Sequence, residues 1–123
     1  YRSFSTHCRV AVVGGGTAGL AVSSQLAKSG TFSKDDITVF DPHESHHYQP
    51  SYTMIGGGVL GTSVADVKKQ EHKYVKRSMK SMFAPCGVTL RSESVKNFDP
   101  DNNKLTTDKG DYTYDFLVVA PGC

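Results

Sequence analysis

Arg9-Val10-Ala11-Val12-Val13-Gly14-Gly15-Gly16-Thr17-Ala18-Gly19 is an apolar run that passes through three glycines into a helix-forming segment. A strand, a glycine turn and a helix in that order grip the pyrophosphate of a dinucleotide. Gly14 permits the tight turn, Gly16 lets the backbone approach phosphate oxygens that a Cβ would obstruct, and Gly19 lets the helix pack closely on its strand. Thr17 and Ala18 fall in the first helical turn. There, unpaired amide N–H groups and the positive end of the helix macrodipole stabilise the phosphates without a basic side chain.

The flanking sequence agrees with this reading. Leu20, Val22, Leu26 and Ala27 give the helix an apolar side, Gly30 is a left-handed stop, and Ile37-Thr38-Val39-Phe40 reads as a second buried strand. Asp41 closes that strand. An acid there, about 20 residues beyond the glycines, accepts hydrogen bonds from ribose hydroxyls. Glycines alone would fit a tight βα turn with no ligand; strand, helix, second strand and terminal acid in register make the nucleotide site the better reading.

The chain beyond Asp41 bears on which dinucleotide is held. A nicotinamide-binding Rossmann domain would continue with another helix and a third strand of the same unit. Here a long Gly- and His-containing stretch leads instead to Val88-Thr89-Leu90, Ser94–Phe98, Lys104–Thr107 and Tyr112–Tyr114, with turn residues at 99–103 and 108–111. These short strands predict an antiparallel meander. It ends in Phe116-Leu117-Val118-Val119-Ala120, an apolar run expected to be a parallel strand buried on both faces and stopped by Pro121-Gly122. The expected class is therefore α/β: a Rossmann-like half-domain made of a βαβ unit and an antiparallel β-meander crossover.

In this order, the elements and the closing Tyr114–Gly122 segment resemble the two-dinucleotide-binding-domain flavoproteins, whose first nucleotide site holds FAD. The closing motif of that superfamily usually ends Ala-Thr-Gly, and Pro121 takes the middle place here. Phe40-Asp41-Pro42-His43-Glu44, followed by His47-Tyr48-Gln49-Pro50 and Gly56-Gly57-Gly58, resembles the eukaryotic sulfide:quinone oxidoreductases. The similarity spans most of residues 8–122, and Tyr-Gln-Pro is its branch-specific part. The resemblance implies FAD held by Gly14, Gly16, Thr17, Ala18, Gly19 and Asp41, with Gln49 reaching the cofactor and the Val95 backbone against the adenine. It also implies a sulfide-handling cysteine pair further along the complete enzyme, electrons passing through FAD to ubiquinone, and a mitochondrial, inner-membrane-associated location. Two other readings stay open: an NADH:quinone oxidoreductase of the same superfamily, and a flavin-binding module without turnover.

The resemblance implies a protein several times longer than 123 residues, so residues 8–123 are expected to be the N-terminal part of an incomplete FAD-binding domain. An apolar fraction of 37% is low for a finished core. Alone, the piece is expected to bind FAD poorly and to be inactive. Residues 1–7, with an arginine, several hydroxyls and no acid before Asp35, are expected to be the remnant of a targeting segment, with a frayed polar arm as the other reading. No run has the length of a membrane-spanning helix, so membrane contact is expected to be peripheral and through the rest of the protein.

A net charge of +2 singles out no partner. Lys68, Lys69, Lys73, Lys76, Arg77 and Lys80, interleaved with Val67, Tyr74, Val75, Met79, Met82 and Phe83, are compatible with a helix that has one apolar and one basic face. Solvation of that face is the expectation and attraction to anionic lipid or nucleic acid the alternative; no aromatic-and-basic groove or motif supports nucleic acid. Cys8 is expected to be a buried structural thiol, Cys86 lies in a loop and Cys123 is the last residue. With no Cys-x-x-Cys spacing, a disulfide is not expected; the resemblance places the sulfide-handling cysteines further along, none of these three matches them, and no catalytic residue is expected in this segment. His43, His46 and His47 have helical spacing, yet Pro42 and Pro50 bracket what reads as loop, and no metal site is expected.

Overall fold

The computed structural model describes residues 5–122. β1 (Thr6–Val13), α1 (Thr17–Lys28) and β2 (Ile37–Phe40) form the first unit, with β1 and β2 parallel and Val13 opposite Phe40. α1 ends as its sequence indicates: the Ser29 hydroxyl donates to the Leu26 carbonyl at 2.8 Å, and Gly30 turns the chain at φ +76°.

The next stretch departs from expectation in three places. It contains β3 (Ser45–His47), α2 (Pro50–Gly56), α3 (Val64–Gln70), β4 (Lys76–Ser78), α4 (Met79–Phe83) and β5 (Thr89–Arg91). Residues 42–50 are not all loop. β3 pairs antiparallel with β4, and Pro50 opens α2, where its missing N–H costs nothing. The basic stretch is not one helix either. α3 gives way to a π turn at Glu71–Val75, the backbone extends over β4 to pair with β3, and Ser78 caps a new helix by accepting from the Ser81 N–H at 3.4 Å.

The third departure concerns Val88-Thr89-Leu90, expected in the meander. β5 lies parallel to β2, with Thr38 opposite Thr89 and Phe40 opposite Arg91. The chain thus does build a third parallel strand, with α4 before it, and the meander beyond β5 is what sets it apart from the simpler pattern. Three strand residues carry no signal of direction, and a five-residue helix is too short to display its period.

β6 (Val95–Asp99), β7 (Lys104–Thr107) and β8 (Asp111–Val119) form that meander, and the six-stranded sheet has the order β5-β2-β1-β8-β7-β6. β8 is one nine-residue strand where two are expected from the sequence. Its first part pairs with both β1 and β7, Tyr112 lying opposite Thr6 and Leu105. Phe116–Val119 pairs with β1 alone, which leaves Phe116 55% and Val119 54% exposed instead of buried on both faces.

The period-two alternation along the strands sorts the core into two clusters. Val10, Val12, Ile37 and Val39 pack with Met79 and Phe83 of α4 and with Leu20 and Leu26 of α1. Ala11, Val13 and Phe40 pack with Leu105, Tyr112 and Tyr114 of the meander. Glu93, in the connection from β5 to β6, fastens the meander to the parallel strands. Its buried carboxylate accepts from the Thr107 hydroxyl at 2.7 Å and from the Tyr112 hydroxyl at 2.9 Å.

Candidate cofactor site

The glycine turn is built from three separate requirements. Gly14 has φ +100°, and a Cβ there would collide with the Ala120 carbonyl oxygen beyond β8. A Cβ on Gly19 would collide with the Gly14 carbonyl. Backbone bonds fix the loop: the Gly14 N–H donates to the Phe40 carbonyl at 2.9 Å, the Ala120 N–H to the Val13 carbonyl at 2.8 Å, and the Leu20 N–H to the Gly16 carbonyl at 2.9 Å.

Gly16 is different. It caps α1 at φ −67°, a value any residue adopts, and a Cβ there would meet nothing within 4 Å. Neither strain nor protein packing calls for glycine at this exposed position. Gly16, Thr17 and Ala18 are exposed, no side chain caps the helix, and its first turn holds no acid. The amides at this helix N-terminus therefore face outward with a positive dipole end behind them, over a surface that a bulkier residue 16 would fill.

Asp41 is 8% exposed and its carboxylate is tied to the turn. One oxygen, Oδ2, accepts from the Gly15 N–H at 2.7 Å; the other, Oδ1, accepts from the His43 N–H at 2.8 Å and lies 2.8 Å from His43 Nδ1. An ionised carboxylate offers about four acceptor positions, so Oδ2 retains one toward a hydroxyl. A cavity of about 210 Å³ opens beside it, lined by Gly14, Phe40, Asp41, Pro42 and Val95 among others. The fold thus brings Gly14, Asp41 and Val95 to one hollow next to the exposed first turn of α1. Gln49 is not among its walls: it is exposed at the start of α2.

Two contributors to the turn carry no sequence signal of that role. The buried His46 ring places Nδ1 3.3 Å from the Gly15 carbonyl, and because a carbonyl only accepts, Nδ1 carries the proton. Met79 lies beneath the same residue, 3.0 Å from where a Gly15 Cβ would stand. His43 and His47 turn elsewhere, to Asp41 and to the Tyr52 hydroxyl at 2.6 Å. Among the described residues, no three His, Cys, Asp or Glu side chains are placed to hold a metal ion.

Cys8 is buried within β1, where burial is the main cause that pushes its thiol up to about 11. Cys86 is a half-buried free thiol; Cys123 and the first four residues of the expected targeting remnant lie outside the described residues, while Thr6 and His7 already belong to β1. No helix among the described residues is long and apolar enough to cross a membrane.

Residues 8–123 match the pyridine nucleotide-disulphide oxidoreductase family. Over 122 residues the chain is 37% identical to the mitochondrial sulfide:quinone oxidoreductase of Dictyostelium discoideum, a match covering 98% of this chain and 24% of that protein. It is 27% identical over 114 residues to a type II NADH:quinone oxidoreductase of Staphylococcus aureus, covering 93% of this chain and 26% of that one. A solved structure, the sulfide:quinone oxidoreductase of the hyperthermophilic bacterium Aquifex aeolicus, shares the fold with a TM-score of 0.68 at 24% identity, over 96% of this chain and 24% of its own. The chain spans about a quarter of the length of these relatives. Its α/β Rossmann-like nucleotide-binding fold is the one typical of that family. Because the family match extends from the first strand past the last, the chain belongs to the pyridine nucleotide-disulphide oxidoreductase family.

Proposed function

We propose that the full-length protein is an FAD-dependent oxidoreductase that oxidises sulfide and delivers the electrons to ubiquinone, and that residues 8–123 are the N-terminal part of its FAD-binding domain. The observation that carries the cofactor assignment is the position of Gly16: its Cβ would stand in open space at the uncapped, exposed first turn of α1, beside the hollow at Asp41. When bound, FAD supplies the two-electron chemistry that links a donor to a quinone. The residues of this segment hold it. Amides of Gly16, Thr17, Ala18 and Gly19 face the pyrophosphate, Asp41 takes ribose hydroxyls and the Val95 backbone contacts adenine; Gln49, exposed before α2 and outside the hollow, is assigned to the cofactor on the family resemblance alone.

No residue here is assigned to bond making. Cys8 is buried and disposed to stay protonated, which makes it a poor nucleophile; the reactive sulfurs are assigned to the rest of the protein on the family resemblance. Sulfide is favoured over NADH as donor by the higher identity to the sulfide enzyme, 37% against 27%. The same likeness supports a mitochondrial place, with peripheral inner-membrane contact made outside this segment. The NADH:quinone reading is the second, resting on the bacterial relative; a flavin module without turnover is a third.

One anaerobic experiment on the full-length protein separates them. Sulfide bleaches the flavin absorbance, a ubiquinone analogue restores it, and NADH does neither. Bleaching by NADH with no response to sulfide moves the assignment to the second reading. A flavin that responds to neither donor supports the third, and a protein without flavin removes all three.

A further inference from the structure

A second and larger hollow, of about 810 Å³, meets the adenosine-side cavity at Asp41 and His43, which line both. Its walls come from the other core cluster: Met79 and Phe83 of α4 with Val88 and Leu90 around β5. Lys76 and Arg77 of β4 and Lys80 of α4 also line it. None of these three cations has a carboxylate within 4.0 Å among the described residues; the Arg77 guanidinium donates to the Lys73 carbonyl, at 3.4 Å. Of the two acids in the lining, Asp41 is engaged by Gly15 and His43, which leaves Glu44.

Three neighbouring positive charges repel one another until an anion joins them. Met79 and Phe83, at most 4% exposed, close the base of the hollow, and the half-buried Val88 and Leu90 supply the apolar surface a ligand can reach. That arrangement suits a compact molecule with an apolar body and an anionic end more than a membrane surface, which needs its apolar side chains at the rim. The volume lies within the range, about 300–1,000 Å³, of small-molecule sites.

We propose that this hollow is a second binding site, beside the cofactor's, for a nucleoside phosphate, with the phosphate at Lys76, Arg77 and Lys80 and the base over Val88 and Leu90.

The test uses full-length protein saturated with FAD and titrated calorimetrically with AMP as the probe. AMP binds the FAD-loaded protein, at least about 10-fold more tightly than inorganic phosphate does. The double variant Lys76→Gln/Lys80→Gln weakens it at least about 10-fold, and Ser92→Trp, which fills the mouth of the hollow, abolishes it. All three forms keep the flavin spectrum. Absence of AMP binding, binding seen only after flavin is stripped, or binding indifferent to the lysine changes overturns the proposal. So does lysine-dependent capture by anionic phospholipid vesicles without AMP binding, which identifies a membrane-facing patch instead. The flavin spectrum of the same samples reports on the cofactor assignment separately, so the two readings fail independently.

Discussion

Gly16 and Gly19 lie three residues apart, yet replacement by alanine acts on different quantities at the two positions. At Gly16 the new methyl meets no protein atom within 4 Å and the backbone is at φ −67°. The fold loses only the helix-capping difference between glycine and alanine, below about 1 kcal/mol. The cofactor loses more. A methyl standing between the first-turn amides and a phosphate oxygen removes at least one charge-assisted hydrogen bond, about 1.5–3 kcal/mol, which is roughly a 10- to 150-fold drop in affinity. At Gly19 the methyl would collide with the Gly14 carbonyl oxygen and stand 3.0 Å from its carbon, in rigid backbone that cannot swing aside. The expected cost there is about 1–3 kcal/mol or more of stability, with FAD loss following from the loosened turn. The assay is paired: FAD titration of each full-length apoprotein by flavin fluorescence, and urea unfolding of the same samples. Gly16→Ala is expected to shift the first and leave the second nearly unchanged; Gly19→Ala shifts both. Unaltered FAD affinity in Gly16→Ala would falsify the assignment of that open surface to phosphate.

Asp41→Ala is expected to weaken FAD about 10- to 100-fold in the same titration and to leave turnover at saturating FAD near normal; because it also strands the Gly15 N–H, it costs about 1–3 kcal/mol in urea unfolding. A collapse of turnover at unchanged affinity would instead place Asp41 beside the reacting atoms. Glu93→Ala leaves the Thr107 and Tyr112 hydroxyls without their buried acceptor and is expected to cost about 3 kcal/mol, while Glu93→Gln, which keeps an acceptor oxygen, costs less. Equal stability of both with wild type would show that this carboxylate does not fasten the meander. At pH 8 an alkylating reagent is expected to label Cys86 ahead of Cys8, whose thiol is about 100-fold less ionised at a pKa near 11 than at its ordinary 9.0. Raising that pKa on folding favours the native state fully below pH 9, and the contribution is lost as pH rises from 9 to 11; prior labelling of Cys8 in native protein would refute it.

The turn, α1, β2 and Asp41 are legible in the sequence because each carries a local signature: glycines at fixed offsets, an apolar helix side, a β-branched run and a terminal acid. The meander is legible from its turn residues. The hidden parts are set by partners distant in sequence. β5 is parallel because β2 offers it an edge, β4 is extended because β3 pairs with it, and the continuity of β8 comes from bonding to β1 and β7 together. In the site, His46 and Met79 reach the turn from 31 and 64 positions beyond Gly15, separations that no periodicity encodes. Spacing alone marks Gly16 as the phosphate residue, and the empty space at its Cβ supplies a physical ground for that reading.

The closure of Gly14 against Ala120 constrains how the protein is made. β1 precedes its central partner β8 in the chain, and His7 pairs with Thr113 across 106 positions. At about 5–20 residues per second, synthesis leaves β1 waiting roughly 5–20 s for that neighbour. During the interval the turn has no far wall: the carbonyl that Gly14 packs against and the amide that binds Val13 have not yet been polymerised. The nucleotide-binding turn is thus encoded well before the strand end that closes it. Cofactor capture has to await translation of β8, so a nascent chain stalled before residue 111 is expected to hold no flavin, whatever the cofactor concentration around it.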